Sequence, residues 1–438
     1  MHITRDLLRA VANGDLPPRL LARVGLEHLT SLCPCCAREV AAWRESPLES
    51  DRAVDPRLMV PLLAASTTKI AEAEEQATRD FAELIALPVG ARPARVARSR
   101  SRFRGPALVR RLLGASREAL REDCDVSYHL AALALSIADR SANSFDLHVL
   151  AAAAMGNACR AQGDLRTADR HFEYVRFLLH SQDVTDLAVL AEVDDLEGSL
   201  RKDQRRFDQA EDLLGRALAL YQIAGREERL AKVKLILADV HFYRGDPIRA
   251  ISTLEHAFRE IRPDLDIQDY LCARHNLTSY LVASGRHEEA SESFDEDAEL
   301  FAAHGGPVFL IRREWLWGLV ADGIGRLEAA EASLVAARDA FLDRKMGFDA
   351  AIVSMDLAAF YLRAGRGEEV RFLAEAMIPI FQAQDIHREA LASLVLFQEA
   401  ARREKVTLSF VNRLSAYLRE ASVDRDLKFR GGDGGRIG

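Results

Sequence analysis

Residues 228–261 read ERLAKVKLILADVHFYRGDPIRAISTLEHAFREI. Two stretches with apolar residues at intervals of three and four flank an Arg-Gly-Asp-Pro break, which predicts a helix, a tight turn at Gly245 and a second helix starting near Pro247. The same arrangement recurs along the chain. Gly245, Gly285, Gly325 and Gly365 stand 40 residues apart, and so do Ala210, Ala250, Ala290 and Ala330, with Val370 closing the series. Each of these glycines precedes its Ala or Val partner by five residues. A fixed period of this length predicts stacked helix pairs, an all-α solenoid in which each pair buries its apolar stripe against its neighbours.

The composition agrees with such an array. Hydrophobic residues make up 49% of the 438 and charged residues 29%, which places the chain outside the disordered class. A net charge of −8 argues against nucleic-acid binding by the chain as a whole, because phosphate contacts need clustered Lys and Arg. The opening MHITRDLLRAVANGD has no apolar segment of leader length, and no run approaches 18 apolar residues, so the expected location is cytoplasmic. In that compartment Cys33, Cys35, Cys36, Cys124, Cys159 and Cys272 read as thiols or metal ligands rather than disulfides.

Upstream, LAAAAMGNACRAQGDLRTADRHFEYVRFLL (150–179) places small residues at Gly156 and Ala168 and an aromatic at Phe172. Small residues continue in register at Gly198, Ala238, Thr278, Gly318 and Ala358 on the first helix of each expected pair. This spacing resembles the tetratricopeptide repeat (TPR) over about residues 106–420. The resemblance implies that small residues on paired helices let the two backbones approach closely. The usual TPR is 34 residues, and the longer period here resembles the sensor arrays of the maltose-type transcription activators. SLRKDQRRFDQAEDLL (199–214) and GFDAAIVSMDLAAFYLRAGR (347–366) resemble bacterial TPR proteins that carry an anti-sigma-like amino terminus.

Residues 1–47 predict a small helical module. His28, Cys33 and Cys36, with Cys33-Pro34 and Arg38-Glu39-Val40, resemble the zinc-binding domain of bacterial anti-sigma factors, with one more residue between His and the first Cys than that family's His-x3-Cys-x2-Cys core. The resemblance implies zinc held by His28, Cys33 and Cys36, and a sigma factor or other transcription component as partner. A Cys-x2-Cys turn can bring two thiolates to one ion. The same cysteines also read as a reactive thiol pair or as small buried residues.

Residues 48–105 predict a linker with one amphipathic helix, STTKIAEAEEQATRDFAELIAL (66–87), followed by six arginines between Arg92 and Arg104. The arginines can contact nucleic acid or an acidic protein, or pair internally with acidic residues of the repeats. Residues 421–438, ending in KFRGGDGGRIG, predict a disordered Gly-rich tail.

In a TPR array the concave groove is lined mainly by the first helix of each pair. Counting from its small residue, the groove-side candidates are Asn157, Arg160, Asp195, Ser199, Lys202, Lys232, Asp239, His275, Asn276, Ser279, Arg312, Trp315 and Asp322. This mixed polar strip suits an extended peptide or a helix, with Trp315 as an anchor. The Lys/Asn clamp that chaperone adaptors use is interrupted by Ala153 and Leu196. No phosphate loop, G-x-S-x-G, H-E-x-x-H or dinucleotide turn is present, which argues against an enzyme. The expected function is a cytoplasmic interaction or regulatory protein that grips a protein or peptide. The alternatives are a nucleic-acid-linked regulator acting through Arg92–Arg104 and an array that senses a small molecule.

Overall fold

A computed structural model describes residues 56–429, apart from short stretches at 100–101, 121–122, 142–144, 183, 185, 260, 262–266, 384–387, 404 and 423–426. The module expected over 1–47, with His28, Cys33 and Cys36, lies outside the described residues. So does the Gly-rich stretch from 430 onward. Among the described residues the chain is an all-α, TPR-type helical array with no strand.

It divides into two compact units. Unit 1 comprises the described residues up to Leu200 together with Asp212–Arg226, and unit 2 comprises Arg201–Glu211 with those from Glu227 onward. Unit 1 contains α1 (Pro56–Ile85), α2 (Arg92–Arg98), α3 (Pro106–Ala119), α4 (Cys124–Ala138), α5 (Phe145–Ala161) and α6 (Leu165–Ser181). The helices α7 (Leu187–Asp203) and α8 (Phe207–Ile223) give residues to both.

Unit 2 continues with the pairs α9 (Glu227–Arg244) and α10 (Pro247–Phe258), and α11 (Ile267–Ala283) with a broken second helix, α12 (His287–Glu296) and α13 (Ala298–His304). Two regular pairs follow, α14 (Pro307–Gly323) with α15 (Leu327–Asp343) and α16 (Gly347–Arg363) with α17 (Gly367–Ala383). The last two helices are α18 (Arg388–Arg402) and α19 (Leu408–Ala421).

The turns explain the periodic glycines. Gly163, Gly245, Gly285, Gly325 and Gly365 all take positive φ, between 71° and 95°, a region that costs glycine nothing. At each, the next residue's N–H bonds to a carbonyl five residues back, as Asp246 to His241 and Arg366 to Tyr361, closing the end of the first helix. Arg205 breaks the series. It holds φ 59° with the same closure, Arg206 N–H to the Arg201 carbonyl, although it carries a full side chain.

The small residues form the seams. Ala168, Ala210, Ala250, Ala290 and Ala330 have no exposed surface, and Val370 has 2%. A Cβ added at Gly156 would meet Phe172 at 2.8 Å, at Gly198 Leu214 at 2.8 Å, and at Gly318 Leu334 at 2.8 Å. In all three pairs the residue met lies 16 positions on, so one register serves both units.

Two expectations need correction. Residues 48–64 are not all linker, because α1 starts at Pro56 rather than near Ser66. The arginine stretch, for which internal pairing with acidic residues of the repeats is one reading, contains α2 and is strapped onto α1. Arg102 pairs with Asp80 at 2.5 Å and Glu83 at 2.8 Å, and Arg95 with Glu83 at 2.6 Å. Both guanidiniums lie 4.9 Å from the centre of the buried Phe103 ring. Arg92 donates to the carbonyls of Ile85 and Leu87. The acidic partners are thus on α1 and not in the repeats. These three arginines make intramolecular contacts within the segment 80–103.

The carboxy-terminal end departs from the repeat. α19 follows α18 where a second helix should pack on its own first helix, yet it packs mainly against α16. Val411, Leu414 and Leu418 of α19 are buried in one cluster with Val353, Leu357 and Phe360. α16 is consequently apolar around most of its circumference, unlike an ordinary groove-lining helix.

Candidate functional site: the first-helix face of unit 2

Neighbouring first helices are joined by polar bridges with a fixed arithmetic. With a 40-residue period, residue i of one first helix faces i+40 of the next, so partners one helical turn apart fall at i+37 and i+41. Asp239 accepts from Asn276, 37 positions on, at 3.1 Å and from the Tyr280 hydroxyl, 41 positions on, at 2.5 Å. Lys202 lies 3.6 Å from Asp239, again 37 positions away. Arg312 reaches Asp349 at 3.4 Å, Trp315 Nε1–H donates to Asp356 at 2.9 Å, and Arg363 pairs with Asp322. The strip that reads as a row of solvated contacts is a ladder of interhelical bonds.

At its amino-terminal end, Asp239 is the hub. Tyr280 is 2% exposed, and burial together with the Asp239 carboxylate pushes its phenol well above the ordinary value, so it remains a donor. The Tyr280 ring stacks on Phe242 with centroids 4.4 Å apart. Tyr243 stands next to this hub, with the Arg205 guanidinium 4.7 Å from its ring centre.

At the other end, Asp356 is the hub. Its side chain is 17% exposed, and burial pushes the carboxyl up against the opposing pull of Arg419 and the Trp315 N–H. Arg419, from α19, bonds Asp356 at 3.0 Å and places its guanidinium carbon 5.1 Å from the centre of the Trp315 ring. Trp315 also meets Phe341 edge-on. The next residue of α19, Glu420, pairs with Arg205 at 3.2 Å.

The remaining expected residues are placed as follows. In unit 1, Asn157 accepts from Arg160 at 2.9 Å on the same helix. Asp195 and Ser199 are buried, 2% and 7% exposed, with the Ser199 hydroxyl bonded to the Asp195 carbonyl. Burial removes these two as direct contacts for a partner. Lys232 is half-buried on α9, two turns from Asp239.

His275 is largely enclosed, its ring 5.4 Å from Phe309. Its Nδ1 is buried with no hydrogen-bond partner. Burial, with Arg312 and Arg313 nearby, brings its pKa down to about 4. A folded pKa below the unfolded value means the unfolded chain takes up the proton first. Stability from the neutral ring is therefore present above pH 6.5 and is lost as pH falls from 6.5 to 4, by about 3 kcal/mol in all. Replacing His275 with Phe should flatten this part of a urea-unfolding stability profile; an unchanged slope would show that the ring titrates normally.

The sequence reading missed Tyr280, Asp356, Arg205 and Arg419. Arg205 was legible, since it occupies the place of a periodic glycine. Asp356 stands 80 residues, two periods, beyond Asn276, which was already among the candidates. Arg419 gave no signal, because the repeat predicts a different place for α19.

Among the described residues no helix is long and apolar enough to cross a membrane. No protein-family model matches the chain, and no curated protein matches it. Solved structures do. A Rap protein in complex with competence and sporulation factor is 12% identical with a TM-score of 0.55, over 72% of this chain and 87% of that one. Aspartyl phosphate phosphatase F from Bacillus subtilis is 11% identical with a TM-score of 0.49, over 92% and 96%. The apo form of RapI is 12% identical with a TM-score of 0.49, over 72% and 98%. At such identities the likeness, carried by the first of these, is one of fold.

Proposed function

We propose that this chain is a cytoplasmic regulatory protein, binding rather than catalytic, whose first-helix face in unit 2 grips a protein or peptide segment. The observation that carries the reading is the paired hubs of Asp239 and Asp356. They hold donors, acceptors and an aromatic ring in fixed positions along successive helices, which is the preorganisation that recognition of a segment requires. The similarity of fold to a Rap protein captured with competence and sporulation factor supports a regulatory role of this kind. The test is affinity capture with the intact chain followed by lysine crosslinking and mass spectrometry. Crosslinks from the captured protein should concentrate at Lys202 and Lys232, whereas crosslinks confined to Lys69, Lys345 and Lys405, which lie off this face, would rule it out.

The finer reading concerns the amino-terminal module. On its resemblance to anti-sigma domains, we propose that His28, Cys33 and Cys36 hold zinc and that the module couples the array to a sigma factor or other transcription component. Zinc analysis of the purified chain decides it. One equivalent, lost on Cys33→Ser, is expected, and none would end the idea.

A further inference from the structure

Three features of α19 have one explanation. It leaves the place the repeat assigns to it and packs against α16. Its Arg419 lies over the Trp315 ring and bonds the enclosed Asp356, although 42% of the arginine side chain is open to solvent. Its Glu420 pairs with Arg205, the residue that accepts a left-handed backbone in a turn where the other copies, among the described residues, use glycine. A side chain retained where the backbone disfavours one points to a use for that side chain. The use here is to hold the end of α19 against the face proposed to bind a partner.

We propose that α19 is a built-in competitor for this face: Arg419 fills a guanidinium subsite made by Trp315 and Asp356, and an arginine-bearing partner segment binds by replacing it. An indole face with a carboxylate at its edge matches a guanidinium, which stacks through its plane and donates through its edge. The Trp315 N–H bonded to Asp356 fixes the carboxylate beside the ring, so the subsite stays assembled when the arginine leaves. The half-open position of Arg419 lets it be exchanged without unpacking the apolar stripe of α19. Arg205 and Glu420 set how tightly the competitor is held.

This inference rests on the binding reading of the face, and its test is independent of any partner. The full-length chain labelled with 15N-tryptophan reports on the subsite through the Trp315 indole N–H, identified by its loss in Trp315→Phe. In Arg419→Ala, N-acetyl-arginine amide should shift this resonance saturably, with an affinity at least tenfold above that of the wild-type chain. Adding Asp356→Asn should abolish the gain. Should Arg419→Ala fail to fold, Arg205→Gly restores the turn's usual residue, frees Glu420, and should raise affinity for the same probe at least threefold. Equal responses of wild-type and variant chains, or a gain that survives Asp356→Asn, would overturn the proposal. Failure to capture a partner would remove the function reading and leave this cation site standing; failure of the arginine probe would do the reverse.

Discussion

Ala290→Asp lowers the stability of the α11–α14 region by about 4 kcal/mol at neutral pH, within the range for burying an unpaired carboxylate. Ala290 has no exposed surface and lies in one apolar cluster with Ala273, Tyr280 and Val320. The hydroxyls on this seam, Thr278 and Ser293, already contact each other at 3.3 Å, so the new carboxylate finds no free donor there. Its pKa must rise above the unfolded value. By linkage the deficit is then small in acid, where the side chain is neutral in both states, and grows as pH rises through neutrality. Hydrogen exchange should show accelerated opening of α11, α12 and α14, and urea unfolding should show the deficit shrinking between pH 7 and pH 4. Ala290→Ser, which adds a hydroxyl and no charge, should cost no more than about 2 kcal/mol. A charge-independent loss would mean that volume, not desolvation, sets the limit at the seam.

The seams were legible because steric exclusion acts at the same register point in every pair. Gly198, Gly318 and the buried alanines all answer to the approach of two helix backbones, and that approach repeats every 40 residues. The polar face was legible only in part. Counting from the small residue identified Asp239, Asn276, Arg312 and Trp315 as facing one way, but not that they would be spent on one another. Whether such a residue meets solvent or its neighbour at i+37 or i+41 depends on how closely successive first helices approach, and each side of that contact varies independently. Asp195 and Ser199 show the cost of this, since both satisfy the count and both are buried. α19 was beyond reach for another reason. The array expected to about residue 420 ends in a helix at 408–421, but the destination of that helix is decided by the apolar inner surface of α16, a tertiary preference with no period to betray it.

Asp239→Ala tests whether the ladder is structural framework or loosely solvated surface. The substitution removes the acceptor of both the Tyr280 hydroxyl and the Asn276 amide, and the counter-charge 3.6 Å from Lys202. The Tyr280 hydroxyl sits on a residue 2% exposed, so it cannot simply turn to water, and an orphaned buried donor costs about 1–3 kcal/mol. Asn276 is half-buried and recovers part of its loss. The expected total is about 3 kcal/mol, with a further contribution from Lys202 that salt would screen. Tyr280→Phe alone leaves the ring stacked on Phe242 and frees one lone pair of a carboxylate that keeps Asn276 and Lys202, so it should cost only about 1 kcal/mol. In the double variant the orphaned hydroxyl is gone, and the loss should fall below the sum of the single losses by about 1–2 kcal/mol. That coupling, measured by urea unfolding of all four chains, is the signature of a preorganised hub. Additive losses would mean that the Tyr280 hydroxyl bond contributes nothing to the rigidity of the face, and the case for recognition at Asp239 would then rest on its charge alone.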